Sequence, residues 1–166
     1  MIYIYEGVDL SGKSTLANKK AEAMNIPIIK KKLEVFKHLD KEFLSSNQIE
    51  VVTQMFFESI YPLGKKYDFI LDRSLLSSLV FSKYFERTVS LDYIYKYLFT
   101  PELSQYIEIY LVTTNQKSIE RRFMDRGEKL FTLKELIFLQ NLYDETAKTL
   151  IDGGCSIIKI IENNDD

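Results

Sequence analysis

Apolar and polar positions fall into blocks along this chain, and the period changes from block to block. Ile2 to Glu6 (IYIYE) is a run of β-branched and aromatic residues closed by an acid, which predicts a strand. Lys13–Met24 follows with good helix formers and a stripe of Leu16, Ala17, Ala21 and Met24, and Asn25 is its expected stop. Ile26–Ile29 reads as a short buried strand, with Lys30, Lys31 and Lys32 at its carboxyl end. Residues 34–46 read as helical or irregular. Over 47–61, Ile49, Val52, Phe56 and Ile60 recur at helical spacing, and Pro62–Lys66 reads as a turn. Tyr67–Leu71 is a third strand, closed by Asp72-Arg73-Ser74. Helices are expected over Leu75–Phe85 and Leu91–Leu98, with Pro101 as a stop, and a fourth strand over Ile107–Val112. Asn115–Asp125 is an arginine-rich helix ended by Gly127. Thr132 opens a helix over 133–151, with Glu135 at the third position of a capping box. Ser156–Ile161 is the last strand, and the acidic stretch after it reads as frayed.

Strands alternate with helices five times. That predicts an α/β fold with a parallel sheet and right-handed crossovers. Ligands of such sheets sit beyond the carboxyl ends of the strands. The residues with chemistry to offer fall at those ends: the segment after Glu6, Lys30–Lys32, Asp72-Arg73 and the stretch after Val112.

The segment after the first strand is Gly7-x-x-x-x-Gly12-Lys13-Ser14, the P-loop pattern, with the required strand before it and helix after it. Gly7 and Gly12 permit positive φ and leave no Cβ in the way, so successive N–H groups can turn onto phosphate oxygens. Lys13 adds a point charge for the β- and γ-phosphates, and the Ser14 hydroxyl is a hard ligand for Mg²⁺. The helix beginning at Lys13 favours an anion at its N-terminus. Four restricted positions would coincide by chance in roughly one chain of this length in a hundred, so the motif outweighs a bare glycine-rich turn.

Composition narrows the setting. The 166 residues, 46% hydrophobic and 28% charged, fit one domain, 1–166, with a real core. A net charge of −2 gives no electrostatic argument for nucleic acid or an anionic membrane, so phosphate binding must be local. The single Cys155 excludes an internal disulfide, and Cys155 with His38 cannot build a structural zinc site; both read as structural. No basic leader precedes the first strand and no apolar run reaches the length of a membrane span, so a cytoplasmic location and no membrane partner are expected.

The motifs carry a resemblance. Glu6-Gly-Val-Asp9-Leu-Ser-Gly-Lys-Ser-Thr15 resembles the P-loop of thymidylate kinases, which typically have Asp at its third position. Leu71-Asp-Arg-Ser-Leu-Leu-Ser-Ser78 resembles the Asp-Arg-Tyr/Ser motif shared by thymidylate kinases and the related deoxynucleoside kinases. Ser118–Gly127 resembles their arginine-rich lid, placed here at about 116–131. The resemblance runs in order through nearly the whole chain, which is compact beside those kinases. It implies a P-loop kinase fold, a five-stranded parallel sheet with helices on both faces. It also implies transfer of the γ-phosphoryl of ATP, with Mg²⁺, to a small nucleotide or nucleoside. Relatives often pair through helices, which makes a homodimer an expectation.

Carried over residue by residue, the resemblance assigns Gly7, Leu10, Ser11, Gly12, Lys13, Ser14 and Thr15 to ATP, and Ser14 with Asp72 to Mg²⁺. Lys13, Asp72, Arg122 and Arg126 would carry catalysis. Arg122 and Arg126 lie four apart on one helical face, with Arg121 beside them, and would close over the transferring group as arginine fingers while excluding water. Arg73 would grip the acceptor phosphate and Asp9 the sugar 3′-hydroxyl. The kinases' Arg-Glu-Pro-Gly-Gly stretch after strand two is replaced by Lys30-Lys-Lys-Leu-Glu34, the P-loop has Leu10 where some carry arginine, and an arginine expected in the helix before strand three is missing. Thr53-Gln-Met-Phe-Phe57 resembles instead the base-reading helix of bacterial deoxynucleoside kinases, which makes Gln54 the base contact and Glu34 a general base for a neutral hydroxyl. The expectation is a thymidylate (dTMP) kinase-like enzyme. A deoxynucleoside kinase is the alternative within the resemblance, and an ATP-binding module without catalysis is the rival class.

Overall fold

The structure, a computed structural model, describes residues 1–30, 42, 45–127 and 130–165. Five strands, β1 (Ile2–Glu6), β2 (Ile28–Lys30), β3 (Phe69–Asp72), β4 (Ile107–Thr113) and β5 (Ile158–Glu162), pair in parallel in the order β2-β3-β1-β4-β5. The predicted α/β fold with a five-stranded parallel sheet is therefore borne out. β1 is central because both its neighbours offer apolar partners: Ile2 and Ile4 are fully buried, in register with Phe69 and Leu71 of β3 and Ile107 and Ile109 of β4. The described helices are α1 (Lys13–Met24), α2 (Asn47–Gly64), α3 (Leu75–Tyr84), α4 (Asp92–Phe99), α5 (Pro101–Ser104), α6 (Gln116–Arg126) and α7 (Leu133–Asp152). None is long and apolar enough to cross a membrane.

The two sheet faces differ in what covers them. One packs Ile2, Ile4, Leu71 and Ile109 against α2, α3, α4 and α7 through Phe57, Leu75, Leu76 and Tyr143. The other packs Tyr5, Ile70 and Val112 against Ala17 of α1. The chain leaves β1 toward β3 and β2 and leaves β4 toward β5, so the topological switch lies at the carboxyl ends of β1 and β4. Caps set the helix boundaries near the site. Asn25 stops α1 in the left-handed region at φ 52°, and the Asn115 side chain accepts the Ser118 N–H at the start of α6. Thr132 and Glu135 form the expected capping box of α7.

Several expectations are corrected. α1 buries Lys13 and Ala17, while Met24, beyond the edge of the small apolar cluster, is 40% exposed. Pro62 does not end α2, which runs on to Gly64: a proline in the last turn removes one hydrogen bond, and Tyr61 beside it is anchored by its hydroxyl to Leu103 O at 2.8 Å. Pro101 opens the short α5 instead of stopping a segment, since its fixed φ suits a first helical position. The buried stripe of α2 is Ile49, Glu50, Thr53, Phe57 and Tyr61, rotated from the expected Ile49, Val52, Phe56, Ile60; Val52 is exposed. The described stretch after β5 is not frayed: Asn163, Asn164 and Asp165 all make hydrogen bonds back to the body.

Candidate functional site at the carboxyl ends of β1 and β3

β1 ends at Glu6 and α1 begins at Lys13, and the loop between them takes three residues through positive φ: Gly7 at 140°, Leu10 at 68° and Gly12 at 87°. A Cβ on Gly7 would stand 2.5 Å from Val112 O, so the loop lies flat against β4 only because that residue is glycine. Ser11 Oγ is buried and has no hydrogen-bond partner among the described residues. Lys13 is 7% exposed, and its Nζ lies 3.5 Å from Asp9 Oδ1. Burial, with the Arg73 guanidinium adding to it and Asp9 and Asp72 opposing, lowers its pKa to about 8.

The second half of the site is the turn after β3. Arg73 stands at φ 62°, an uncommon conformation for a non-glycine residue. Two anchors hold it there. Its N–H donates to Tyr5 O at 2.9 Å, and Glu6, fully buried, accepts the N–H groups of Ser74 (2.8 Å), Leu76 (3.0 Å) and Ser77 (3.2 Å) together with the Ser77 hydroxyl. Glu6 thus satisfies the open N–H groups at the start of α3 with a negative charge, where the helix dipole favours one. Ser77 Oγ lies 2.7 Å from the hydroxyl of Tyr143 on α7, which extends the brace to the far helix. The Arg73 side chain crosses to the P-loop: Nε and Nη2 donate to Gly7 O at 3.2 Å, and Nη2 donates to Asp9 Oδ1 at 2.7 Å. Burial pushes the Asp9 carboxyl up, but Arg73 and Lys13 outweigh it and hold it below the usual carboxylate range.

These groups open on one cavity of about 410 Å³, within the size range of small-molecule sites. Its mouth carries Asp9, Lys13, Ser14, Lys30, Asp72 and Arg73. Phe81, Phe85 and Phe131 line its walls, and Glu50, Thr53 and Arg87 its far end. Glu50 and Arg87 are both buried, with Nη1 to Oε2 at 3.2 Å. Glu50 also accepts the Tyr93 hydroxyl at 2.8 Å and, more weakly, Ser82 Oγ at 3.5 Å. A carboxylate has about four acceptor positions, and these donors take three of those of Glu50, which lines the cavity. Among the described residues no three His, Cys, Asp or Glu side chains form a metal cage. Among the groups lining the cavity, the Ser14 hydroxyl and the Asp72 carboxylate are a donor set suited to Mg²⁺ that arrives on phosphates and keeps several waters.

No family model and no curated protein matches the chain. Solved structures do match. The YorR protein of Bacillus subtilis, in complex with phosphorylated GDP, aligns at 19% identity with a TM-score of 0.63, covering 99% of this chain and 85% of its own. The deoxyadenosine kinase of M. mycoides, with dCMP and dCDP bound, aligns at 17% identity with a TM-score of 0.62, covering 97% and 90%. The thymidylate kinase of Candida albicans aligns at 17% identity with a TM-score of 0.60, covering 98% and 83%. The fold is that of the P-loop nucleotide kinases.

Within that P-loop kinase fold the expected residues separate. Asp9, Lys13, Ser14, Asp72 and Arg73 converge on the cavity. Lys30 reaches its mouth with Nζ 4.0 Å from Asp72 Oδ2. Leu10, Ser11, Gly12 and Thr15 form the loop and the first turn of α1. Gln54 does not line the cavity: it is half-buried on α2, its Nε2 3.4 Å from Glu58 Oε1, and Glu50 and Thr53 line the cavity instead. Glu34, with Lys31, Lys32 and His38, lies outside the described residues.

Arg122 is not placed as a free finger. Nη1 donates to Leu10 O at 2.8 Å and Thr114 Oγ1 at 3.5 Å, Nη2 to Asn163 O and Asp165 Oδ1 at 2.8 Å each, and Nε to Asp165 at 3.2 Å. All five N–H groups of the guanidinium are engaged, so it cannot reach a phosphate without releasing them. Arg126 is exposed in the last turn of α6, and Arg121 faces Asp125 and Asp165 at 4.0 Å. Sequence reasoning missed Glu6, Glu50, Arg87 and Asn163. Glu6 had a signal, an acid closing an apolar strand; the others depend on partners far away in the chain.

Proposed function

We propose that this chain transfers the γ-phosphoryl of ATP to a deoxyribonucleoside or its 5′-monophosphate seated in the cavity. The observation that carries the proposal is the opening of the P-loop lysine and the Asp72-Arg73 turn onto one cavity with a polar far end. Lys13 supplies the charge for the transferring phosphoryl, and the loop N–H groups supply the cradle. Ser14 and Asp72 would hold Mg²⁺, which would supply positive charge against the phosphate oxygens during transfer. Asp9 orients Arg73, whose Nη1 remains for the acceptor's reacting end, with Lys30 beside it. The aromatic walls suit a base, and Glu50 at the far end offers an acceptor to a base N–H. Arg126, exposed in the last turn of α6, would come over the transferring group and exclude water.

A monophosphate acceptor, dTMP in the thymidylate kinase-like reading, is favoured by the cations Lys13, Lys30 and Arg73 at the mouth. A nucleoside acceptor is favoured by the commitment of most of Arg73 to Asp9 and Gly7 O. Labelled ATP with Mg²⁺, run against all four deoxynucleosides and their monophosphates, decides between them. Label in a diphosphate product supports the first, and label in a monophosphate supports the second. ATP binding without transfer to any of the eight overturns the kinase reading and leaves a binding module.

A further inference from the structure

The outer side of the phosphate loop is held by two side chains from outside it. Arg122 Nη1 donates to Leu10 O at 2.8 Å, and Asn163 Nδ2 donates to Ser11 O at 2.7 Å. In a trans peptide the C=O and N–H point to opposite sides. Pulling the Ser11 carbonyl outward therefore sends the Gly12 N–H to the inner side of the loop, where a phosphate oxygen would lie. With that peptide reversed, a carbonyl oxygen would face the phosphate. Gly12, at φ 87°, has no Cβ to resist such a reversal. What resists it is Asn163, whose amide occupies the space a Cβ on Gly12 would take.

Asn163 is itself tightly set. It follows β5 directly, its N–H donates to Thr113 O at 2.9 Å, and its carbonyl accepts Thr114 Oγ1 at 2.9 Å and Arg122 Nη2 at 2.8 Å. Arg122 is fixed in turn by Asp165, whose N–H donates to Ser118 Oγ at 2.7 Å. The segment after β5 therefore forms a brace that joins the base of α6 to the back of the P-loop.

We infer that Asn163 and Arg122 are positioning residues for the triphosphate: they lock the Ser11–Gly12 peptide with its N–H inward, and they do so from behind the loop without touching the nucleotide. This rests on the P-loop being the triphosphate site, as proposed above. It replaces the arginine-finger role expected of Arg122.

The test is calorimetric binding of inorganic tripolyphosphate, of ATP and of the best acceptor to the parent chain, Asn163→Ala, Asn163→Asp and Arg122→Lys, with a thermal melt of each. Loss of one hydrogen bond that holds the loop should weaken tripolyphosphate and ATP by the same factor, about fivefold or more for Asn163→Ala. Asn163→Asp, which keeps the size but sets an oxygen against Ser11 O, should lose more. Acceptor affinity should stay within about twofold of the parent. Three results overturn the inference. The first is unchanged tripolyphosphate affinity, with or without a lowered melting temperature, which makes the brace purely structural. The second is weakening of ATP but not tripolyphosphate, which makes Asn163 a contact to the adenosine. The third is equal weakening of ATP and acceptor, which makes the effect global. If Asn163→Ala fails to fold, Arg122→Lys carries the same comparison, since lysine can reach one carbonyl but not the whole set. A parent chain that binds no tripolyphosphate, like a Lys13→Met control, refutes the P-loop assignment itself.

Discussion

Replacing Lys13 by methionine should stabilise the empty protein and abolish nucleotide binding. The ammonium is 7% exposed, its closest carboxylate oxygen is 3.5 Å away, and the Arg73 guanidinium lies nearby. Its pKa falls from 10.5 to about 8, chiefly because burial penalises the charge. That fall corresponds to roughly 3 kcal/mol by which the folded state disfavours the protonated form. Methionine keeps the length of the stem without the charge, so at pH 7 the variant should gain about 1–3 kcal/mol, less whatever Asp9 loses with its partner. Urea denaturation at pH 7 should show a higher midpoint with the same slope. The sign of the pH dependence follows. Below about pH 8 both folded and unfolded Lys13 are protonated and the full cost applies. Above that the folded state releases its proton while the unfolded chain keeps it to about pH 10.5, so the parent should gain stability relative to the variant as pH rises from 8. Phosphate binding should reverse this by raising the lysine's pKa, so ATP binding at pH 8 should take up part of a proton, read by calorimetry in buffers of different ionisation enthalpy. A variant less stable than the parent by 1 kcal/mol or more would make Lys13 a net structural support and overturn the burial cost assigned to its charge.

Three further outcomes are expected. Glu6→Gln replaces one acceptor oxygen with a donor facing helix N–H groups, so stability should fall by about 2–3 kcal/mol, or roughly 5–10 °C in melting temperature, and acceptor binding should weaken with it; a change within about 0.5 kcal/mol would show that the α3 start holds itself. Glu50→Gln removes the carboxylate charge paired with the buried Arg87, so it should cost about 3 kcal/mol and reorder the preference among bases while leaving ATP affinity unchanged, read from acceptor competition in the transfer assay; an unchanged order would remove Glu50 from base contact. Arg126→Ala should leave the melting temperature alone, since the side chain is exposed, and lower kcat at least about a hundredfold with little change in KM; activity near that of the parent would take Arg126 out of the transition state.

What could be read from the sequence was local, and what could not be read was set by partners distant in the chain. The phosphate loop was legible because its requirements, two glycines, a lysine and a hydroxyl between a strand and a helix, all lie within eight residues. The strands were legible because each is a continuous apolar run that a parallel sheet buries on both faces. The contacts of Arg122 were not legible because nothing near it says that Leu10 and Asn163, 112 and 41 residues away, would engage its donors. The register of α2 was misread for a more telling reason. That helix turns Val51, Val52 and Met55 outward, at 49%, 43% and 66% exposure, and turns Glu50 and Thr53 inward. The register keeps Phe57 and Tyr61 buried, but at Glu50 and Thr53 it places polar groups where Val52 would have given apolar surface to the interior. The arrangement is held because Arg87 and Tyr93 satisfy Glu50, yet a salt bridge in the interior is seldom more stabilising than the apolar packing it displaces. A local rule broken at the floor of the cavity, with little gain in stability to justify it, is what a binding surface looks like from the side of folding. By that argument α2 offers the base of the proposed acceptor Glu50, one turn before Gln54, and Thr53, one residue before it.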